Sequence, residues 1–179
     1  MSDLTVLGIG NVLMRDDGVG VRVLQRVQQA RDWPKVVEFV DGGAGGLNLI
    51  NVIEDATRLV VFDSAEMKLA PGEHRAVTPQ QLCDLPAEHR ASMHDAPFNE
   101  TLTLVARFFH RPAEVRVLAI QPKVVDYGRT LSDELAAALD DLTAAGVRLV
   151  EDVLRSAKTT KPNSRDAGDA GDNDFSSSK

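Results

Sequence analysis

The stretch that decides the fold is residues 4–20, which read Leu-Thr-Val-Leu-Gly-Ile-Gly-Asn-Val-Leu-Met-Arg-Asp-Asp-Gly-Val-Gly. Its first four residues form a short, largely apolar run that is typical of a buried strand, and two glycines then interrupt it. Two adjacent acids, Asp16 and Asp17, precede a segment with helical spacing. Because ligands of parallel α/β sheets bind beyond the carboxyl ends of the strands, this acidic loop is predicted to face a binding site.

The residue types in this loop disfavour phosphate as the ligand. Leu13 stands where the dinucleotide-binding fingerprint requires its third glycine, and no Gly-Lys-Ser/Thr sequence follows. Two acids would repel phosphate and suit a cation better. The alternative is that Asp16 or Asp17 only caps the next helix and complements its dipole. Capping accounts for only one of the two acids, because a helix has one N-cap position.

The composition indicates one globular domain with a tail. The chain has 179 residues, of which 43% are hydrophobic, and a net charge of −7, which argues against a nucleic-acid partner. We expect no membrane insertion, and a single cysteine (Cys83) without a secretory signal predicts a cytoplasmic protein. After Arg155 the sequence turns to small and polar residues. We therefore predict a folded domain at 1–155 and a disordered tail at 156–179.

The hydrophobic pattern predicts alternating strands and helices, which indicates an α/β fold with a mainly parallel sheet. One short strand, at 74–77, is predicted to be antiparallel at the sheet edge. Helices are predicted to begin at Gly18, Leu47, Pro97 and Ser132, and Gly146 in the last one is expected to allow close packing. The other strands are predicted at 4–7, 35–40, 59–62 and 114–120.

Carboxylates follow three of the predicted strands. Asp17, Asp41 and Asp63 would meet at one edge of the sheet, because parallel strands end on the same side. His94 lies in a long segment without clear periodicity, and such segments are often functional. Carboxylates and imidazole together bind divalent metals, so Asp17, Asp63 and His94 are the candidate ligands, with Asp41 close by. Spacing alone leaves open that His94 is an ordinary surface histidine.

The first loop and several later motifs together resemble a known family. The block Gly-Ile-Gly-Asn-Val-Leu-Met-Arg-Asp-Asp-Gly-Val-Gly at 8–20 resembles the opening signature of the hydrogenase maturation proteases. The likeness continues through Asp41-Gly42-Gly43, Val61-Phe62-Asp63, Met93-His94, Ala119 to Pro122 and Leu131-Ser132. It spans about residues 4 to 154, which agrees with one domain. Ala119 departs from a glycine that is common in the family.

The resemblance implies a three-layer α/β sandwich, with a mostly parallel, twisted five-stranded sheet between helices. It also implies an endopeptidase, counted among the aspartic-type enzymes, that removes a C-terminal extension from the nickel-loaded large-subunit precursor of a [NiFe] hydrogenase. Matched by motif, Asp17, Asp63 and His94 would contact the nickel, which the precursor supplies, and Asp41 would support activity. Asp16 is the lesser choice as a ligand. We expect a monomer.

Three other interpretations remain open at this point. The same acidic edge would serve a non-catalytic assembly factor that binds nickel or the precursor, because the sequence contains no unmistakable nucleophile. A peptidyl-tRNA hydrolase-like enzyme shares the Gly-x-Gly-Asn opening, but its substrate needs a basic surface. A flavodoxin-like nucleotide-binding domain is disfavoured by the acids of the first loop.

Overall fold

The computed structural model describes residues 3–44, 49–83 and 112–159. Within them a 3₁₀ helix at Arg15–Gly18 leads into the first of four α-helices, and five strands form one sheet. The strands are β1 (Leu4–Gly8), β2 (Val37–Asp41), β3 (Arg58–Ser64), β4 (His74–Val77) and β5 (Glu114–Ile120). The helices are α1 (Val19–Gln29), α2 (Ile50–Asp55), α3 (Pro79–Cys83) and α4 (Asp133–Thr159).

The sheet has the strand order β2-β1-β3-β5-β4. The first four strands in this order are parallel to one another, and β4 pairs with β5 in the antiparallel direction. Both the parallel core of the sheet and its antiparallel edge strand are therefore confirmed. All five residues of β1 and six of the seven in β3 are buried, as expected for central strands covered on both faces.

Two apolar cores lie on opposite faces of the sheet. On one face α1 and α4 pack against alternate strand residues such as Val60 and Phe62. On the other face Ile53 of α2 packs with Leu59 and Val61. Since successive residues of a strand point to opposite faces, this division follows from the alternation along β3. The result is the predicted three-layer sandwich.

Two helical glycines allow α1 and α4 to lie close to the strands and to each other. A Cβ atom at Gly20 would lie 2.2 Å from the carbonyl oxygen of Phe62 and 2.3 Å from that of Ile9. A Cβ atom at Gly146 would lie 2.8 Å from Cγ2 of Val27 and 3.2 Å from Cζ of Phe62. The close packing predicted for Gly146 is thus confirmed, and the contact at Gly20 is with backbone atoms.

The predicted element bounds agree with the structure to within a few residues. The strand predicted at 114–120 is found unchanged, whereas β2 starts at Val37 and α2 at Ile50. The short helix α3 lies in a segment that showed no periodicity, and α4 continues four residues past Arg155. The helix predicted from Pro97 and the residues after Thr159 lie outside the described residues. None of the described helices combines the length and apolarity needed to span a membrane.

The two helical glycines provide a matched test of this packing. We expect Gly20→Ala to lower the free energy of unfolding by about 3 kcal/mol, because the two carbonyl groups that a Cβ meets are fixed in the backbone. Gly146→Ala should cost much less, since the Val27 methyl group can move and alanine gains about 1 kcal/mol of helix propensity. Urea unfolding of both variants measures the difference. Equal losses would contradict the distinction between backbone and side-chain contacts.

Candidate active site

The carboxyl ends of the central strands bring the candidate residues to one edge of the sheet. Gly8, the last residue of β1, is in register with Asp41 on one side and with Phe62 on the other. The amide of Ile9 donates to the carbonyl oxygen of Phe62 at 2.9 Å, so the loop after β1 begins beside the end of β3. The carboxyl ends of β1, β2 and β3 therefore lie side by side, as predicted. Asp41 and Asp63 lie at the ends of β2 and β3, and the loop that carries Asp17 begins at the end of β1.

Asp17 is buried, with 1% of its surface exposed. Its Oδ2 accepts a hydrogen bond from the amide of Asn11 at 2.8 Å. Its Oδ1 accepts one from Oγ of Ser64 at 3.3 Å, which joins the first loop to the end of β3. Helix α1 has Gly18 at its N-cap and no side-chain capping bond. Asp17 therefore orients the loop and contacts β3, and it does not act as the helix cap.

Asp63 lies one residue from the end of β3 and is 4% exposed. Its neighbour Ser64 contacts Asp17, so both buried acids belong to one small region at the strand end. By alternation along β3, Ser64 lies on the face covered by α1, and Asp63 lies on the face covered by α2. The two acids thus approach the end of β3 from its two faces.

Asp16 is fully buried and has a different environment from Asp17. Its Oδ2 accepts hydrogen bonds from the amides of Lys123 and Val124, each at 3.0 Å. Ser132 donates twice, from its amide to Oδ1 at 2.7 Å and from its hydroxyl to Oδ2 at 2.8 Å. These four bonds engage both oxygens of Asp16 and tie the first loop to the segment between β5 and α4.

Asp41 is exposed at the end of β2. Its Oδ1 accepts a hydrogen bond from the amide of Gly43 at 2.9 Å, which closes a tight turn. The amide of Gly42 donates to the carbonyl oxygen of Gly8 at 2.9 Å. The amide of Gly10 donates to the carbonyl oxygen of Gly43 at 2.7 Å. The turn at residues 41–43 is therefore bonded to the loop that carries Asp17.

Gln121 holds the segment after β3 in place. This buried side chain follows β5, and its Oε1 accepts hydrogen bonds from the amides of Met67 at 2.7 Å and Leu69 at 3.2 Å. Its Nε2 donates to Oε2 of Glu66 and to the carbonyl of Pro122, both at 3.0 Å. The Gln121-Pro122 pair, which is part of the family resemblance, thus fixes the backbone that follows Asp63.

The third predicted ligand, His94, lies outside the described residues, as do His89 and His110. Within residues 3–44, 49–83 and 112–159, no group of three or more His, Cys, Asp or Glu side chains is arranged to hold a metal ion. The described residues therefore include two of the three predicted ligands, the buried carboxylates of Asp17 and Asp63. The ligand set Asp17, Asp63 and His94 stays a prediction.

Comparison with known proteins identifies the family. The family model described as hydrogenase maturation protease matches residues 21–149. The chain is a member of the hydrogenase maturation protease family. The Cupriavidus necator protein named "Hydrogenase expression/formation protein HoxM" is 34% identical over 148 residues, covering 82% of this chain and 73% of that protein. The match confirms the predicted family and favours it over the peptidyl-tRNA hydrolase-like and flavodoxin-like interpretations.

A second named protein and a solved structure are also similar to this chain. The Escherichia coli protein named "Hydrogenase 2 maturation protease" is 25% identical over 124 residues, covering 69% of this chain and 75% of that protein. The solved structure of the hydrogenase maturating endopeptidase HybD from E. coli superimposes with a TM-score of 0.73 at 24% identity, covering 88% of this chain and 94% of that one. The latter confirms the fold, and family membership assigns the chain to the maturation endopeptidases.

The contacts that three residues make at the site could not be recognised from the sequence. Ser64 lacks a nucleophile-elbow context, yet it contacts Asp17. Ser132 was predicted as the start of the last helix and belongs to the family resemblance, but its hydroxyl bond to Asp16 was not predicted. Gln121 also belongs to the family resemblance, but its bonds to the segment after β3 were not predicted. Each acts through a residue more than 45 positions away, so no local pattern could have found it.

The two adjacent acids should respond differently to substitution. Asp16→Asn replaces one of two accepting oxygens with a donor that faces N–H and O–H groups, so we expect a loss of about 3 kcal/mol in the free energy of unfolding. Asp17→Asn should cost clearly less, because Asp17 accepts two described bonds, one of them at 3.3 Å, whereas Asp16 accepts four of 3.0 Å or less. Chemical denaturation of both variants tests the ranking. The reverse order would contradict the structural role of Asp16.

The start of α4 provides a pH-dependent test of the same segment. A side-chain hydrogen bond from Lys123, followed by a backbone bond at Glu134 itself, lowers the pKa of the exposed Glu134 carboxyl below its ordinary value. A lowered folded-state pKa means that the interaction stabilises the fold above the unfolded pKa and is lost as the pH falls through the folded one. We expect Lys123→Met to raise the Glu134 pKa, as followed by NMR titration. The exposed Lys35→Met is the control and should leave it unchanged.

Proposed function

We propose that this protein is the endopeptidase that removes the C-terminal extension of a nickel-loaded [NiFe] hydrogenase large-subunit precursor. Membership of the hydrogenase maturation protease family is the observation that carries the proposal. The structural support is the pair of buried carboxylates, Asp17 and Asp63, at the carboxyl edge of the central strands. This is where an α/β sheet of this topology binds its ligands.

Nickel in this proposal belongs to the substrate. Carboxylate and imidazole side chains are suitable ligands for a divalent transition metal, and the set Asp17, Asp63 and His94 has that composition. Because Asp17 and Asp63 reach the end of β3 from different faces, a cation shared by both would lie just beyond the strand end. A precursor that carries its own nickel would thereby be positioned by the metal, and precursors without it would be rejected.

Asp41 would act on the peptide that follows the metal-binding part of the precursor. Its turn is bonded to Gly8 and Gly10, so the carboxylate stands at the same edge as Asp17. With the scissile bond beside this turn, either the nickel polarises the carbonyl group or a carboxylate activates the attacking water. The attack breaks the amide bond, and the extension leaves with a new amino terminus.

Nickel dependence is tested with purified protein and two forms of the precursor. The nickel-loaded precursor should be shortened on a gel, with the mass loss of its extension by mass spectrometry, and the nickel-free form should remain intact. Cleavage of both forms at equal rates would contradict recognition through the metal. Binding without shortening would instead support a non-catalytic assembly factor.

The same assay tests the predicted ligands. Asp17→Asn, Asp63→Asn and His94→Ala should each reduce cleavage at least a hundredfold, which corresponds to about 3 kcal/mol of lost transition-state stabilisation. Circular dichroism should show that each variant is folded. Val36→Ser, a change at an exposed residue just before β2, is the control and should retain full activity. Unchanged cleavage by the His94 variant would remove that residue from the site.

A further inference from the structure

Exposed apolar side chains concentrate on two neighbouring loops. Five large hydrophobic residues are exposed in the described ranges, and four of them lie in residues 12–13 and 125–127. Tyr127 is 80% exposed and is the only tyrosine of the chain. We call these four residues the apolar patch: Val12, Leu13, Val125 and Tyr127. Clustered apolar exposure, unlike a single exposed residue, marks an interaction surface.

Backbone hydrogen bonds join the two loops that carry the apolar patch. The amide of Gly128 donates to the carbonyl of Leu13 at 2.8 Å, and the amide of Arg15 donates to the carbonyl of Gly128 at 2.9 Å. Met14 and Gly128 form an isolated parallel bridge. The apolar patch is therefore held in one arrangement before a partner arrives, which reduces the entropy lost on binding.

The apolar patch is directly connected to the candidate active site. The side chain of Asn11 accepts a hydrogen bond from the amide of Leu13 at 3.0 Å, and the amide of Asn11 donates to Asp17 at 2.8 Å. On the other loop, the amide of Val124, next to Val125, donates to Asp16. A partner that reaches Asp17 would therefore lie against the apolar patch.

We propose that the apolar patch is a docking surface for the large-subunit precursor, separate from the residues that would contact the nickel. This inference rests on the proposed function, because the precursor is the partner that must approach Asp17. The partner surface would present apolar side chains and a polar group for the Tyr127 hydroxyl. Aromatic residues of this kind often dominate the binding energy of interfaces. Val12 and Leu13 are each 39% exposed and belong to neither of the two apolar cores.

The test compares two double variants of the apolar patch against one matched control. The substrate is the nickel-loaded precursor that the wild-type protein cleaves. The double variant Val125→Ser/Tyr127→Ser should raise the KM for this precursor by about tenfold or more and leave kcat within about twofold. The pair Val12→Ser/Leu13→Ser should act in the same direction. Val36→Ser is the control, because Val36 is 43% exposed, like Val125 at 44%, but lies at the opposite edge of the sheet.

The outcomes separate this inference from the proposed function. Wild-type cleavage with an unchanged KM in both double variants would overturn the docking surface and leave the proposed function standing. Absence of wild-type cleavage would overturn the proposed function and the inference with it. Sedimentation velocity tests another occupant: wild-type self-association that Val125→Ser/Tyr127→Ser abolishes would show that the patch binds a second copy of the chain, and would also overturn the inference.

Discussion

The structure of the site depends on the hydrogen bonds that the Asp16 carboxylate accepts. Three amides and one hydroxyl from the segment after β5 converge on it. A buried carboxylate is costly unless such partners replace its hydration, so these bonds fix both Asp16 and the segment that supplies them. The first loop is therefore bonded to this segment, and Asp17 contacts Ser64 at the end of β3. One acid thus fixes the backbone that carries its neighbour.

The close approach of α1 to the sheet complements this arrangement. Gly20 allows the helix to rest on the carbonyls of Ile9 and Phe62, which lie at the ends of the two central strands. A bulkier residue would lift the start of α1, and with it the acids that precede the helix. The glycines of the signature block are thus needed for packing beneath the site, and the acids can only be placed correctly when that packing is complete.

The fold was largely predictable because its determinants are local. β5 is a largely apolar run ended by Gln121-Pro122, and its bounds could be read directly. The position of Asp63 at a strand end followed from the same kind of pattern. The separate roles of Asp16 and Asp17 were not predictable from spacing, because the partners of Asp16 lie 107 to 116 residues further along the chain. The family resemblance favoured Asp17 over Asp16 as the ligand, and that choice stays a prediction; in the structure Asp16 accepts four hydrogen bonds from the segment after β5.

The side-chain amide of Gln121 links the segment after β3 to the segment after β5. Its oxygen accepts hydrogen bonds from the backbone after β3, and its nitrogen donates to Glu66 and Pro122. Two residues later the chain reaches Lys123 and Val124, which bond to Asp16. Hydrogen bonds therefore connect residues 67–69 after β3, residues 121–124 after β5 and Asp16 of the first loop. A displacement of one segment would disturb the hydrogen bonds of the other, so we expect this edge of the sheet to move as a unit.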